Sequence, residues 1–211
     1  MSYLTYKDEL VNKLVKKHIQ SQKPVGSKIL AREFKNIFSP ATLRIYLRKL
    51  TQEGLMENVG ICSGKVPTDY GWKYYLQTNI SKVRSEIKKD KDFDENADYL
   101  INKYKVIFLE LGISKKIKGL QTFVRKNMLE NDVVEEACYF IENVDNLVNK
   151  LLEGLHIYIG KEIPLNSIQK ISFLSFKHKN NLLILVSNKR VDYPKIYINF
   201  VELIKSIKSN E

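Results

Sequence analysis

The chain has 211 residues, enough for one large domain or two small ones, and its 44% hydrophobic content is that of a globular fold rather than a disordered chain. Its 35 Lys and Arg against 24 Asp and Glu leave a net charge of +11, which points to a polyanionic partner, either nucleic acid or an acidic membrane surface. Two cysteines, Cys62 and Cys138, exclude a disulfide-built scaffold and a paired thiol or zinc site, and they suit a reducing, cytoplasmic setting.

The first residues, Met1 to Asp8, lack the basic start and apolar stretch of a secretory signal, so no export is expected. The longest clean apolar run, Leu182 to Val186, falls far short of the roughly 20 residues that span a bilayer as a helix. Residues 1–80 carry 13 basic and 6 acidic side chains, and the remaining 131 carry 22 and 18. The polyanion site is therefore expected in the first 80 residues, where net charge is about threefold denser.

In chain order, Leu10, Leu14, Val15 and Ile19 recur at helical spacing and predict an amphipathic helix over about 5–20. Pro24-Val25-Gly26-Ser27 is turn chemistry, and Ser27 can cap a short second helix that carries Ile29, Leu30 and Phe34 inward. Ser39-Pro40-Ala41-Thr42 is a strong helix start, because the Ser hydroxyl can accept an orphan amide and a proline loses nothing at the first helical position.

The third helix is expected over 40–53, with Leu43, Leu47 and Leu50 inward. Ala41, Arg44, Ile45, Arg48, Lys49 and Gln52 then face outward. Such a surface can enter a DNA groove: Arg and Lys meet phosphates or guanine, Gln pairs with adenine, and Ala41 or Ile45 packs on a thymine methyl. An ordinary solvated helix face is the plainer reading of the same stripe.

Residues 55–59 and 65–67 flank Gly60-Ile61-Cys62-Ser63-Gly64 and predict two short strands joined by a loop, which makes a wing behind a helix-turn-helix. Thr68 can cap the next helix, with Trp72, Tyr75 and Leu76 packing inward. Gly60, Gly64 and Lys65 do not make a phosphate loop, since the glycine spacing is one short and Val66 stands where Ser or Thr is needed. No enzyme is read from this chain.

Ser81 to Asn96 is rich in Lys, Asp and Glu and reads as a charged helical linker. Helices are expected to dominate from Asp98 to Glu153. Residues 157–159, 171–176 and 182–186 read as strands, the last two as a hairpin, and Asp192 can cap a final helix with Ile196, Phe200, Leu203, Ile204 and Ile207 on one face. His18, His156 and His178 are isolated from each other and from the cysteines, so no metal site or histidine-based catalytic pair is expected. Nothing converges polar groups on a pocket, and no cofactor is expected. Cys62 at the wing tip could sense redox state, although a lone loop cysteine is more often merely tolerated.

Three blocks, Pro24-Val25-Gly26-Ser27, Ser39 to Arg44 and Gly64 to Gly71, resemble the signature blocks of the HrcA heat-inducible transcription repressor family in order and spacing. Ile159 to Leu165 and Val191-Asp192-Tyr193-Pro194-Lys195 resemble two further blocks of that family near its far end. The resemblance implies an α+β protein with an N-terminal winged helix-turn-helix over 1–80, a linker over 81–97 and a small GAF-like domain over 98–211.

It also implies a repressor of chaperone operons acting through an inverted-repeat operator on double-stranded DNA, with the GroEL chaperonin and a second copy of the chain as partners. HrcA proteins are considerably longer. The missing length is expected between Ile80 and Gly119, so the family's inserted dimerisation domain is read as lost. The DNA-binding residues the reading names are Ser39, Ala41, Thr42, Arg44, Ile45, Arg48, Lys49, Gln52 and Lys65. Two departures bear on them: Ile45 and Tyr46 stand where the family has Asn and an acidic residue, and Lys65 stands where it has Arg. An alternative is a degenerate winged-helix module kept for protein contacts or nonspecific DNA binding.

Overall fold

Apolar periodicity and local capping set the helices of the N-terminal part. The computed structural model describes residues 3–35, 37–60, 64–88, 91–112, 114–179 and 181–208. The chain divides into two compact units, Met1–Val83 with Asp192–Pro194, and Arg84–Val191 with Lys195–Glu211.

In the first unit, helix α1 (Tyr3–Ser21) buries Leu10, Val11, Leu14, Val15 and His18 along one face. The His18 Nδ1 lies 2.9 Å from the Lys23 carbonyl oxygen, and its ring sits beside Trp72. Helix α2 (Ser27–Glu33) corrects two expectations: its N-cap is Gly26, without any side-chain cap, and Ile29 is 38% exposed. Leu30, Ala31 and Phe34 form the buried stripe, and Ile29, about 100° round the helix on the other side of Leu30, is left facing outward.

Helix α3 (Pro40–Gln52) starts as expected. The Ser39 Oγ accepts the Thr42 amide at 3.1 Å, and Leu43, Tyr46, Leu47 and Leu50 are buried. Strands β1 (Met56–Asn58) and β2 (Lys65–Pro67) pair antiparallel, with Met56 opposite Pro67 and Asn58 opposite Lys65. Residues 61–63 lie outside the described residues, and with them the Cys62 expectation.

The hairpin has a third participant that the sequence did not announce. Val25 bridges Lys65 through two backbone hydrogen bonds of 2.9 and 3.0 Å, so the turn leading into α2 is sewn to the foot of β2. Gly64, at φ +91°, makes this approach possible: a Cβ there would lie 2.8 Å from the Val25 carbonyl carbon.

Helix α4 (Asp69–Asn79) is capped by Thr68, whose Oγ1 accepts the Gly71 amide at 3.0 Å and donates to the Gly54 carbonyl at 2.5 Å. Trp72, Tyr75 and Leu76 are buried. Tyr75 donates its hydroxyl to Asp192 of the same unit at 3.3 Å.

The second unit opens with a segment read above as a helical linker, and here the reading is corrected. Residues 83–88 form no helix. Buried Asn199 accepts both the Glu86 amide at 2.7 Å and the Ser85 hydroxyl at 3.1 Å, while buried Asn96 exchanges hydrogen bonds with Lys88. These bonds satisfy an extended backbone that a helix would satisfy internally. Helix α5 (Phe93–Tyr104) follows, with Asp92 as cap.

Helices dominate from Asp98 to Glu153 as expected, but two strands that the sequence reading did not name interrupt them. Strands β3 (Ile107–Leu111) and β4 (Lys115–Lys118) precede α6 (Leu120–Asn127) and α7 (Asn131–Asn143). With β5 (Gly154–Ile159), β6 (Ile171–His178) and β7 (Asn181–Asn188) they make one antiparallel sheet in the order β4-β3-β7-β6-β5. β4 escaped notice because Lys115-Lys116-Ile117-Lys118 is charged edge-strand chemistry, which shows no apolar alternation.

Ile107, Leu109, Phe173, Ile184 and Val186 pack with Phe123 of α6 and Phe140 of α7. The alternate residues Phe108, Leu174, Leu183 and Leu185 are buried as well, and Phe108 meets Phe93 of α5 at 5.9 Å. The central strands are therefore covered on both faces. Helix α8 (Tyr193–Lys208) buries Ile196, Phe200, Leu203 and Ile204.

Candidate nucleic-acid interface

The burial of Leu43, Leu47 and Leu50 fixes which way α3 faces. Ala41, Arg44, Ile45, Arg48, Lys49 and Gln52 are all exposed, Ile45 by 56%. They do not form one uniform surface. Ala41, Ile45, Arg48 and Gln52 follow the i, i+4, i+7, i+11 spacing of a single stripe along the helix.

Arg44 and Lys49 lie on opposite flanks. The Arg44 Nε donates to the Pro40 carbonyl at 3.4 Å, folding the side chain along the helix toward its start. The Lys49 ammonium lies 5.2 Å from the centroid of the Tyr3 ring, a cation–π contact with α1. Burial, with the negative charge of Glu53 nearby, pushes the Tyr3 phenol well above its ordinary range, so the ring stays neutral beneath that cation. Arg48 is the one cation of the stripe itself.

Ser39 and Thr42 are occupied with the helix start: beyond the cap bond, their two hydroxyls meet at 2.9 Å. The Lys65 ammonium donates to Asn58 Oδ1 at 2.5 Å across the hairpin. Lys65 shares a cleft of about 670 Å³ with Arg44, and the cleft is also lined by Ser27, Lys28 and Asn58. The structure thus brings Arg44 and Lys65 together and leaves Lys49 and the Ser39–Thr42 pair apart from them.

Ser27, Lys28 and Asn58 are the residues sequence reasoning missed at this place. Lys28 stands immediately after the Pro24 to Ser27 block, which was the available signal, but its position on a concave wall depends on the Val25–Lys65 bridge.

Four of the six acidic groups in residues 1–80 are engaged elsewhere. Glu53 pairs with Lys7 at 2.6 Å, Glu33 with Lys17 at 2.9 Å, Glu9 with Lys13 at 3.6 Å, and Asp8 accepts the Tyr74 hydroxyl. Among the described residues, no ion pair involves Lys28, Arg44, Arg48 or Lys65. The face made by α3, the start of α2 and the foot of the hairpin is accordingly a field of uncompensated positive charge around a concavity, suited to a polyanion. Among the described residues no group of His, Cys, Asp and Glu could hold a metal ion, and no helix is long and apolar enough to cross a membrane.

No family model matches the chain. Curated proteins do. The heat-inducible transcription repressor HrcA of Mycoplasma mobile is 36% identical over 216 residues, covering 95% of this chain and 63% of that protein. HrcA of Desulfitobacterium hafniense is 24% identical over 97% of this chain and 64% of its own length, and HrcA of Phytoplasma australiense 28% over 85% and 44%. The chain thus resembles HrcA repressors over most of its length, while spanning between 44% and 64% of the length of these three. A solved structure described as a hypothetical protein superposes with a TM-score of 0.78 at 14% identity, covering 96% of this chain and 95% of that one. That likeness concerns the fold alone.

Proposed function

We propose, from the resemblance to HrcA repressors, that the chain is a sequence-specific DNA-binding transcription repressor of that type. In this reading the first unit is a winged helix-turn-helix and the second a GAF-like domain. The observation that carries it is the exposed stripe of α3 beside a cleft of uncompensated cations, in a chain similar to HrcA over most of its length.

Helix α3 lies in the major groove with Ala41, Ile45, Arg48 and Gln52 toward the base edges. Arg48 pairs with guanine, Gln52 with adenine, and Ala41 and Ile45 pack on thymine methyls. Ser39, Thr42, Arg44, Lys49 and, from the wing, Lys65 run along the sugar–phosphate backbone. Ile45 replaces a hydrogen-bonding group with an apolar one, so the preferred sequence differs from one read by an amide at that position.

The targets are heat-shock genes, chaperone operons above all, controlled through an inverted repeat. An inverted repeat is matched by a two-fold protein, so a homodimer forms on the operator. Release of repression on heating couples to the GroEL chaperonin. Electrophoretic shift of chaperone-operon promoter DNA from the source genome tests the reading, with Arg44→Ala and Arg48→Ala combined in one variant. The wild-type chain retards that DNA in preference to a scrambled duplex, and the double variant loses the preference. Equal retardation of both duplexes by the wild type would instead favour nonspecific binding.

A further inference from the structure

We propose that the cleft between the start of α2 and the foot of the hairpin seats a DNA backbone phosphate, held by Lys28, Arg44 and Lys65. Arg44 then positions the duplex, and sequence is read by the neighbouring stripe of Ala41, Ile45, Arg48 and Gln52. This rests on the DNA-binding reading of the first unit and divides its labour.

Four observations carry it. Three cations from three different elements line one concavity, and none of the residues lining it is acidic. Held cations facing a common space repel one another, and an anion placed among them removes that repulsion.

Arg44 is turned off the stripe by its bond to the Pro40 carbonyl, and it lines the cleft rather than the row of residues that faces base edges. Asn58 holds the Lys65 ammonium at 2.5 Å through one of its three N–H groups, and the other donors remain for phosphate oxygens. Asn58 is thus a positioning residue.

Finally, the walls are joined. The two Val25–Lys65 backbone hydrogen bonds and the close approach at Gly64 fasten the hairpin to the turn entering α2, so Lys28 and Lys65 keep their separation without a ligand. Ordering that is complete before binding need not be supplied during it.

The test uses the full chain and a duplex that the wild type selects from a randomised pool, with a scrambled duplex of the same composition beside it. Affinity is measured against salt concentration for Lys28→Ala, Arg44→Ala, Lys65→Ala, Arg44→Lys and Arg48→Ala. Each of the three cleft alanine variants is expected to weaken both duplexes by the same factor and to lower the steepness of log affinity against log salt by a share of the roughly 0.9 that one phosphate contributes. Arg44→Lys retains the slope and the selectivity, because a phosphate accepts a point charge where a guanine edge requires the bidentate fork. Arg48→Ala narrows the selected-to-scrambled ratio roughly tenfold or more.

The proposal is overturned if Arg44→Ala or Arg44→Lys narrows that ratio as Arg48→Ala does, or if the cleft variants leave the salt slope unchanged. It is also overturned if poly-glutamate displaces DNA at charge-matched concentrations, which would assign the cleft to an acidic polypeptide. A wild type that does not discriminate between the duplexes, while its cleft variants still show the reduced slope, contradicts the repressor reading and leaves the phosphate seat standing.

Discussion

Gly71 lies inside α4, where replacement by alanine would ordinarily stabilise a helix by about 1 kcal/mol. The packing reverses the sign. A Cβ at Gly71 would lie 2.0 Å from the Leu55 carbonyl oxygen, whereas real Cβ atoms stay beyond 3.0 Å of such neighbours, so α4 must retreat from the β1 side by about 1 Å.

That retreat stretches the Thr68 cap on the Gly71 amide, now 3.0 Å, and the Thr68 amide bond to Leu55, now 3.1 Å. Overpacking costs ~1–3 kcal/mol and a weakened cap ~1 kcal/mol, against ~1 kcal/mol gained in helix propensity. The net expectation for Gly71→Ala is a loss of ~1–3 kcal/mol.

Trp72 is the single tryptophan of the chain and is 1% exposed in this same helix, so its fluorescence reports the unfolding of the first unit. With a urea dependence of about 2 kcal/mol per molar, the Trp72-detected midpoint should fall by roughly 0.5–1.5 M. A midpoint that is unchanged or raised would refute the packing argument and leave propensity in command.

Two further outcomes follow from the same unit. Thr68→Ala removes both the cap on Gly71 and the bond to Gly54, and should lower stability by about 1–2 kcal/mol in the same Trp72-detected transition. Burial, with Glu53, Asp8 and Asp192 respectively as anionic neighbours, raises the phenols of Tyr3, Tyr74 and Tyr75 well above the ordinary value near 10. The fold favours their neutral forms, so their contribution to stability is complete below about pH 10 and is lost as pH rises beyond it. Ultraviolet titration of the folded chain should find three of its 12 tyrosines ionising late, and a uniform titration near pH 10 would contradict this.

Much of α3 was legible because its determinants are local. A serine cap, a proline at the first turn and a leucine period are chemistry within a few residues of each other, and the structure realises each of them. Ile29 was misread because in so short a helix the buried stripe is set by Leu30, Ala31 and Phe34, which lie to the other side of Leu30 from it.

The strap over 83–88 and the cleft were hidden for a different reason. Asn199 reaches Glu86 from 113 positions away, and Val25 meets Lys65 only after the hairpin has folded back. No pattern within either segment signals its partner. The even surface expected on α3 separated into a stripe and two flanks once contacts were in view, since Pro40 holds Arg44 and Tyr3 holds Lys49. Periodicity identifies an outward side chain but not where its charged end comes to rest.

In the proposed function this chain discriminates among DNA sequences with the exposed stripe of α3. The most direct measurement is the ratio of dissociation constants of the full chain for its selected duplex and for a scrambled duplex, at physiological salt. Preference for the selected duplex by about a thousandfold or more is expected, and Arg48→Ala narrows it by roughly tenfold or more. A ratio near one, or a ratio that Arg48→Ala leaves intact, would contradict it.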